Sequence, residues 1–379
     1  MSAADPANSS QDADSARIVV TYRIDPGIGV EPGTVAEAIR TEQTIEFPFD
    51  LAPAWIQNEV VGRIEDIDQQ VVQISYPLGV TGGGLVQFLN VLWGNVSLLN
   101  GVRIIDLQLP TTFLAGFSGP RFGISGVRSI FNAPRRPLLC TALKPMGLSP
   151  EELGATAVTL ARAGFDMIKD DHGLASQPWA PWAKRVHTIS RLVCEIDASS
   201  DHHSVYMPAL NVPADQLVDA AHQAKEWGAG ALLVLPGLTG FDSLRMLAED
   251  SELNLPIMSH PSFLGSTVVN PQQGISHGIV FGTIMRLAGA DISIFPNYGG
   301  RFSFSQQQCE EIAQACAVPL GGLAPIFPSP GGGMTLDRVP EMIEVYGNDL
   351  TLLIGGALHR GDLSTNAHAM VEIVHTSYS

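Results

Sequence analysis

The chain has 379 residues, more than one ordinary compact core holds and about right for a barrel with a smaller companion domain. Apolar residues make up 45% of it, which excludes overall disorder, and no segment reaches the roughly 18 uninterrupted apolar residues of a spanning helix. The formal net charge of −17 excludes a broad nucleic-acid surface, yet leaves room for a small phosphorylated substrate held by backbone N–H groups and a local cation.

In chain order, residues 1–17 (MSAADPANSSQDADSAR) lack the basic start and apolar block of a secretory signal and read as a disordered tail. From 18 to 134 the pattern is mixed. RIVVTYRI reads as a strand, TVAEAIRTEQT as a short helix, GRIEDIDQQVVQISYPL as further strands and GLVQFLNVLWGNVSLL as an apolar helical run. This is an α+β (ferredoxin-like) domain, with IFNAPRRPLL as the junction. From 135 to 379 the rhythm becomes strand, loop, helix. The strand candidates are LLCTALK, FDMIKD, SVYMPALNV, GALLVLP, LPIMSH, DISIFP, GGLAPIFP and LTLLIGG. Eight apolar strands alternating with helices predict a (β/α)8 TIM barrel; a doubly wound open sheet competes, but its GxGxxG turn is absent. Four cysteines (Cys140, Cys194, Cys309 and Cys316) show neither a CxxC pair nor framework spacing, so a reducing cytoplasm is expected.

Barrel enzymes gather their working groups at the C-terminal ends of the strands. Those ends carry Lys144; Lys169, Asp170 and Asp171; Asn211; His260; Asn297 and Arg301; Ser329 with Gly331, Gly332 and Gly333; and Gly355 with Gly356. Lys144 is either a solvated loop lysine or a cation for an oxyanion or proton transfer. Strand alternation sends Lys169 and Asp171 to one side and Asp170 to the other. The pair is either an ordinary ion pair or a Mg2+ site, the latter only if the lysine becomes an anion, as carbamylation by CO2 would make it. Glycine runs after strands seven and eight suit a phosphate cradle, and His260 is an acid–base or a structural histidine.

These segments resemble the RuBisCO superfamily over nearly the whole chain after the tail. PLLCTALKPMGLSPEELG, GFDMIKDDHGLASQPWAPW and NVLWGNV carry the likeness most specifically, supported by VVTYRIDPGIGV, GRIEDI, ISYPL and GADISIFPNYGGRF. The resemblance implies a homodimer whose site is shared between subunits. It also implies Mg2+ bound by a carbamylated Lys169, by Asp171 and by His172, which stands where carboxylases have a glutamate ligand; the other reading frees His172 for acid–base work beside a more open metal. Lys144 corresponds to the family's first active-site lysine, Asn95 and Glu42 to residues of the N-terminal domain near the substrate, and His260 to the histidine after strand five. The glycines at 331–333, 355 and 356 correspond to those holding one phosphate, with Asn211 and Ser329 expected beside the substrate. KPKLGLS has become KPMGLS, and Pro261, Ile294 and Arg301 replace an arginine, a histidine and the mobile-loop lysine.

Losing charge-assisted phosphate contacts costs about 1.5–3 kcal/mol each, which argues against a bisphosphate substrate. The resemblance is therefore to the RuBisCO-like, non-carboxylating (type IV) branch, whose members form an enolate from a phosphorylated keto sugar or sugar acid. The first expectation is a Mg2+-dependent carboxy-lyase: a decarboxylase or transcarboxylase/hydrolase of a 3-oxo-isoapionate 4-phosphate-like compound, with Lys144, Lys169, His172, His260 and Arg301 as its catalytic groups. An isomerase or enolase of a (methylthio)ketose phosphate is the alternative, and a non-catalytic binding relic is another. No nucleic acid and no membrane partner are expected.

Overall fold

The computed structural model describes residues 16–376. The expected tail lies outside them except for its last two residues, and Arg17 already opens the first strand. The chain forms two compact units. The first ends at Phe117 and takes in Gly265–Val280 and Pro319–Leu323; the second comprises Ser118–Leu264, Phe281–Val318 and the chain from Ala324 onward.

In the first unit, β1 (Arg17–Ile24) is the sheet's centre because its residues alternate between partly and fully buried, with Val20, Tyr22 and Ile24 sealed. It pairs antiparallel with β3 (Val71–Pro77) and with β4 (Val102–Gln108), and β2 (Arg63–Asp68) lies outside β3. The sequence of β2, RIEDID, is largely exposed, as suits a charged edge strand that discourages further pairing. A short strand from far along the chain, β10 (Gly274–Ile275), pairs parallel with β4. Its segment is tied down by buried Arg103, whose Nη1 donates to the carbonyls of Val268, Asn270 and Gln273. Periodicity gives no warning of this excursion, because it depends on one arginine finding three distant carbonyls.

The second unit is the (β/α)8 barrel. Its parallel strands are β5 (Leu138–Leu143), β6 (Met167–Asp170), β7 (Val205–Met207), β8 (Leu232–Val234), β9 (Ile257–Ser259), β11 (Ile292–Pro296), β12 (Phe327–Gly331) and β13 (Thr351–Ile354). They run as β13-β5-β6-β7 and β8-β9-β11-β12. Backbone bonds from Leu233 to Pro208 and from Leu210 to Leu233 join β7 to β8, and the Ser329 hydroxyl donates to Thr351 O between β12 and β13. Leu138, Cys140, Met167, Met207, Leu233, Met258, Ile292, Phe327 and Leu353 fill the interior as a close-packed core. All eight expected strands are present. The seventh runs FPSPG rather than GGLAPIFP, so Ser329 and Gly331 lie within a strand instead of beyond it.

Residues 118–134, assigned to the N-terminal domain from composition, belong with the barrel. The reason is Asp291, at the foot of β11. Its carboxylate accepts from the N–H groups of Phe122 and Gly123, which start the helix Gly123–Ile130, and from Ile257 N of β9. Burial outweighs these three bonds and raises the Asp291 pKa from 3.8 to about 6. The folded state therefore holds this proton more tightly than the unfolded chain. The resulting stabilisation grows as pH falls from about 6 towards 4 and is absent above 6. Urea melts of wild type and Asp291→Asn should diverge accordingly, wild type gaining about 1 kcal/mol on the variant between pH 7 and pH 5. A difference that stays constant with pH would contradict this.

Candidate active site

All four residues of β6 are buried, and alternation then decides which charge faces where. Met167 lies in the barrel core, so Lys169, two residues on, faces the interior and Asp170 faces the surrounding helices. Asp170, although charged and facing away from the barrel axis, is not solvated. It is fully buried against Arg185 of the helix Trp182–Asp197, with Oδ2 3.1 Å from Nη2 and 3.3 Å from Nε. Tyr206 Oη donates to its other oxygen at 2.7 Å, and Ala209 N donates at 3.1 Å. Burial pushes the Asp170 pKa up while Arg185, Tyr206 and Ala209 pull it down. Arg185 also donates to the carbonyls of Ala175 and Ala180, so one side chain fixes both the end of β6 and the loop after it.

That anchoring sets the interior groups. Lys169 is 2% exposed and its Nζ donates to Asp170 O at 3.1 Å. Burial, the foremost cause, lowers its pKa, with Cys140 and Asp171 pulling the other way. Lys144, beyond the end of β5, keeps about a third of its side chain exposed and donates to Asp171 Oδ1 at 2.6 Å. His172 Nδ1 lies 3.4 Å from the same oxygen. Burial would raise the Asp171 pKa, but hydrogen bonds from His172 and Lys144 outweigh it and hold the carboxyl well below the usual range.

The His172 ring stacks on His260, with centroids 4.5 Å apart and planes 12° apart. His260 Nδ1 receives the backbone N–H of Ser262 at 3.2 Å and lies 2.9 Å from its hydroxyl. A backbone N–H can only donate, so this network assigns the hydrogen of neutral His260 to Nε2. Burial first, then the charges of Lys169 and His172, push the His260 pKa well below its ordinary value. His172 has the complementary arrangement. In its neutral form, a hydrogen on Nδ1 facing the carboxylate leaves the lone pair on Nε2.

The remaining expected site residues are placed differently. Asn211 spends its amide N–H groups on His172 O and Leu174 O, at 2.6 and 3.0 Å, and so shapes the turn carrying His172. Ser329 is buried and bonded across the barrel wall. Gly331 is walled in, since a Cβ there would sit 2.9 Å from Leu353. Gly332 and Gly333 turn with φ of +83° and +90°, and a Cβ on Gly333 would lie 2.6 Å from Gly300 Cα. This pair thus lets two turns pack backbone to backbone. Gly355 lies against the Lys144 stem, where a Cβ would be 3.6 Å from Lys144 Cε, while Gly356 faces open space. Arg301 is exposed, its guanidinium 4.9 Å from the Phe302 ring centroid. In the first unit, Asn95 Nδ2 donates to Glu42 Oε1 at 2.8 Å. Buried Gln43 holds that pair in register by donating to Asn90 O and Val91 O and accepting from Val96 N. Arg185 and Gln43 escape a sequence reading because each acts by closing contacts with distant residues.

The donor set does not fit a hard dication as it stands. Among the described residues no three His, Cys, Asp or Glu side chains converge on a metal position. At the Lys169 end the one carboxylate beside the amine is Asp171, whose Oδ1 already serves Lys144 and His172. Mg2+ takes oxygen ligands in near-octahedral array, and an amine and an imidazole are poor substitutes. A carbamate on Lys169 would have to form first.

The ribulose bisphosphate carboxylase large chain models match this chain, the N-terminal domain at residues 7–113 and the catalytic domain at 123–299. Ribulose bisphosphate carboxylase-like protein 1 of Rhodopseudomonas palustris is 36% identical over 94% of this chain and 96% of its own. The 5-methylthioribulose-1-phosphate isomerase of Rhodospirillum rubrum is also 36% identical, over 90% of this chain and 91% of its own. The crystal structure of a Rubisco-like protein from Rhodopseudomonas palustris superposes with a TM-score of 0.85 at 33% identity, covering 96% of this chain and 99% of that one.

Two outcomes follow from the geometry. Replacing Arg185 with Met strands the buried Asp170 charge and should cost about 3–5 kcal/mol of stability, read as a lowered urea midpoint. Calorimetry in CO2-free buffer should show no saturable Mg2+ binding, with binding appearing only after bicarbonate is added; saturable binding without CO2 would contradict the donor-set argument.

Proposed function

We infer that this chain, which belongs to the ribulose bisphosphate carboxylase large-chain family and to its RuBisCO-like, non-carboxylating branch, is an isomerase that moves a proton between neighbouring carbons of a phosphorylated ketose. The observation that carries this reading is the stacked pair His172 and His260, one offering a lone pair at Nε2 and the other a hydrogen. A base and a neutral hydrogen-bond donor side by side are what enolisation beside a carbonyl needs. In this reading His172 takes the proton from carbon, and His260 donates a hydrogen bond to the oxygen where negative charge develops. Its depressed pKa keeps it a neutral donor there.

Lys144 then delivers a proton to the former carbonyl carbon, while the hydroxyl proton of the enediol moves from the oxygen on the deprotonated carbon to the oxygen on the newly protonated one, so that C–H and C=O exchange places. The balance closes through Asp171. The imidazolium gives up its Nδ1 proton to the carboxylate oxygen, which passes it to the Lys144 amine, and exchange of the ring's remaining Nε2 proton for one at Nδ1 through solvent restores the starting tautomer, so no net proton is gained or lost. Lys169, buried and shifted towards its neutral form, sits behind this circuit. The backbone at Gly355 and Gly356, beside Lys144, is the proposed seat of the substrate phosphate. A homodimer belongs to the same proposal.

The name carried by the Rhodospirillum rubrum relative favours 5-methylthioribulose 1-phosphate or a close analogue as substrate. This puts the isomerase ahead of the carboxy-lyase expected from the sequence. Nothing in the Lys144–His260 cluster reserves a cation for a departing carboxylate, and Arg301 lies over Phe302 instead. The test is NMR of the protein with 5-methylthioribulose 1-phosphate in D2O. Isomerised product carrying deuterium at the adjacent carbon is expected, together with a loss of rate in His172→Gln of at least about a hundredfold. Carbon dioxide release from a 3-oxo sugar-acid phosphate, with no change in the ketose phosphate, would establish the carboxy-lyase instead. Inertness towards both would leave a binding role.

A further inference from the structure

One polar atom near this cluster has no use in the scheme above. After β13 the chain turns through Gly355 into a short 3-10 helix, Gly356–His359, closed by a bond from Leu358 N to Gly355 O. Gly355 rests on the Lys144 stem. The turn ends on His359, whose Nε2 is buried and has no hydrogen-bond partner among the described residues. A buried imidazole nitrogen without a partner costs about 1–3 kcal/mol, so its retention at this place calls for an explanation.

The charged group facing His359 from another element is Lys144; on its own segment Arg360 and Asp362 follow, both exposed. Burial and the Lys144 charge both lower the His359 pKa, which keeps the ring neutral and leaves a lone pair available. Lys144 has three N–H bonds, and Asp171 Oδ1 is the acceptor seen for one of them. A lysine stem is long and flexible, so its ammonium can serve two acceptors in turn.

We propose that His359 is a positioning residue for Lys144, its Nε2 being the acceptor that takes the ammonium when substrate draws Lys144 away from Asp171. The lysine then has two stations. At Asp171 it is reset by the proton circuit, and at His359 it is held for delivery to carbon. This function for His359 rests on the isomerase reading for its catalytic consequence, but the His359–Lys144 coupling itself does not.

The test has two arms. In the first, histidine-selective 13C labelling follows the His359 ring through a pH titration, the signal being assigned by its absence from His359→Asn. In Lys144→Met the His359 pKa should move up towards the ordinary histidine value of about 6.5. No movement would overturn the proposal whatever the substrate is. In the second, turnover of 5-methylthioribulose 1-phosphate is measured for His359→Leu and His359→Gln. The leucine variant should lose about tenfold in kcat with KM nearly unchanged, and glutamine, whose amide oxygen can accept from an ammonium, should recover most of it. Equal rates in wild type and the leucine variant, or equal loss in both variants with unchanged melting temperatures, would overturn it. Should wild type turn over none of this ketose phosphate, the isomerase reading fails and the titration alone decides the coupling.

Discussion

The buried pair of Asp170 and Arg185 is the contact on which the site depends. Both side chains are fully enclosed, and each is satisfied by several further bonds. Such a pair adds little net stability over an apolar substitute, because desolvating two charges offsets their attraction. What it gives is register. With Asp170 fixed towards the helices, Lys169 must face the barrel interior, and the next residues, Asp171 and His172, emerge where β5 presents Lys144 and β9 presents His260. An apolar pair of the same volume would pack, but it would not distinguish this register from one shifted by a residue.

Much of the fold was legible because barrel strands that are buried on both faces read as short apolar runs. The eight strands, Lys144, the Lys169–Asp171 pair and His260 all follow from that rhythm. The seventh strand misled because its residues, FPSPG, carry two prolines and a glycine, which ordinarily signal a turn. The same turn signal puts Ser329 and Gly331 in a loop, where the structure has them in the strand. Arg185, Gln43, Ser262 and Asn211 were invisible or misassigned because their role is to complete hydrogen bonds to residues distant in sequence. No local pattern records which distant carbonyl or carboxylate a side chain will meet.

The departures from the carboxylase pattern acquire physical content here. Ile294, where the resemblance expects a histidine, is part of the buried apolar interior, and Pro261 opens the turn that orients His260 through Ser262. One position has joined the core and the other supports an imidazole. Neither offers a cation to a second phosphate. The groups that remain are those that move protons, and they share one carboxylate, Asp171, as their common point.

The short strand β10 and the arginine that ties its segment down have a further consequence for how this protein can be taken apart. The first unit is not one stretch of chain: it includes Gly265–Val280, which is encoded between two strands of the barrel. Cutting the gene after Phe117 would leave Arg103 without the three carbonyls it holds and β4 without its outer neighbour. The N-terminal unit is thus not a detachable module that could be exchanged between relatives as a cassette. Its surface and the barrel's fifth crossover must change together, so that chimeras joined at the apparent boundary inherit an unmatched edge.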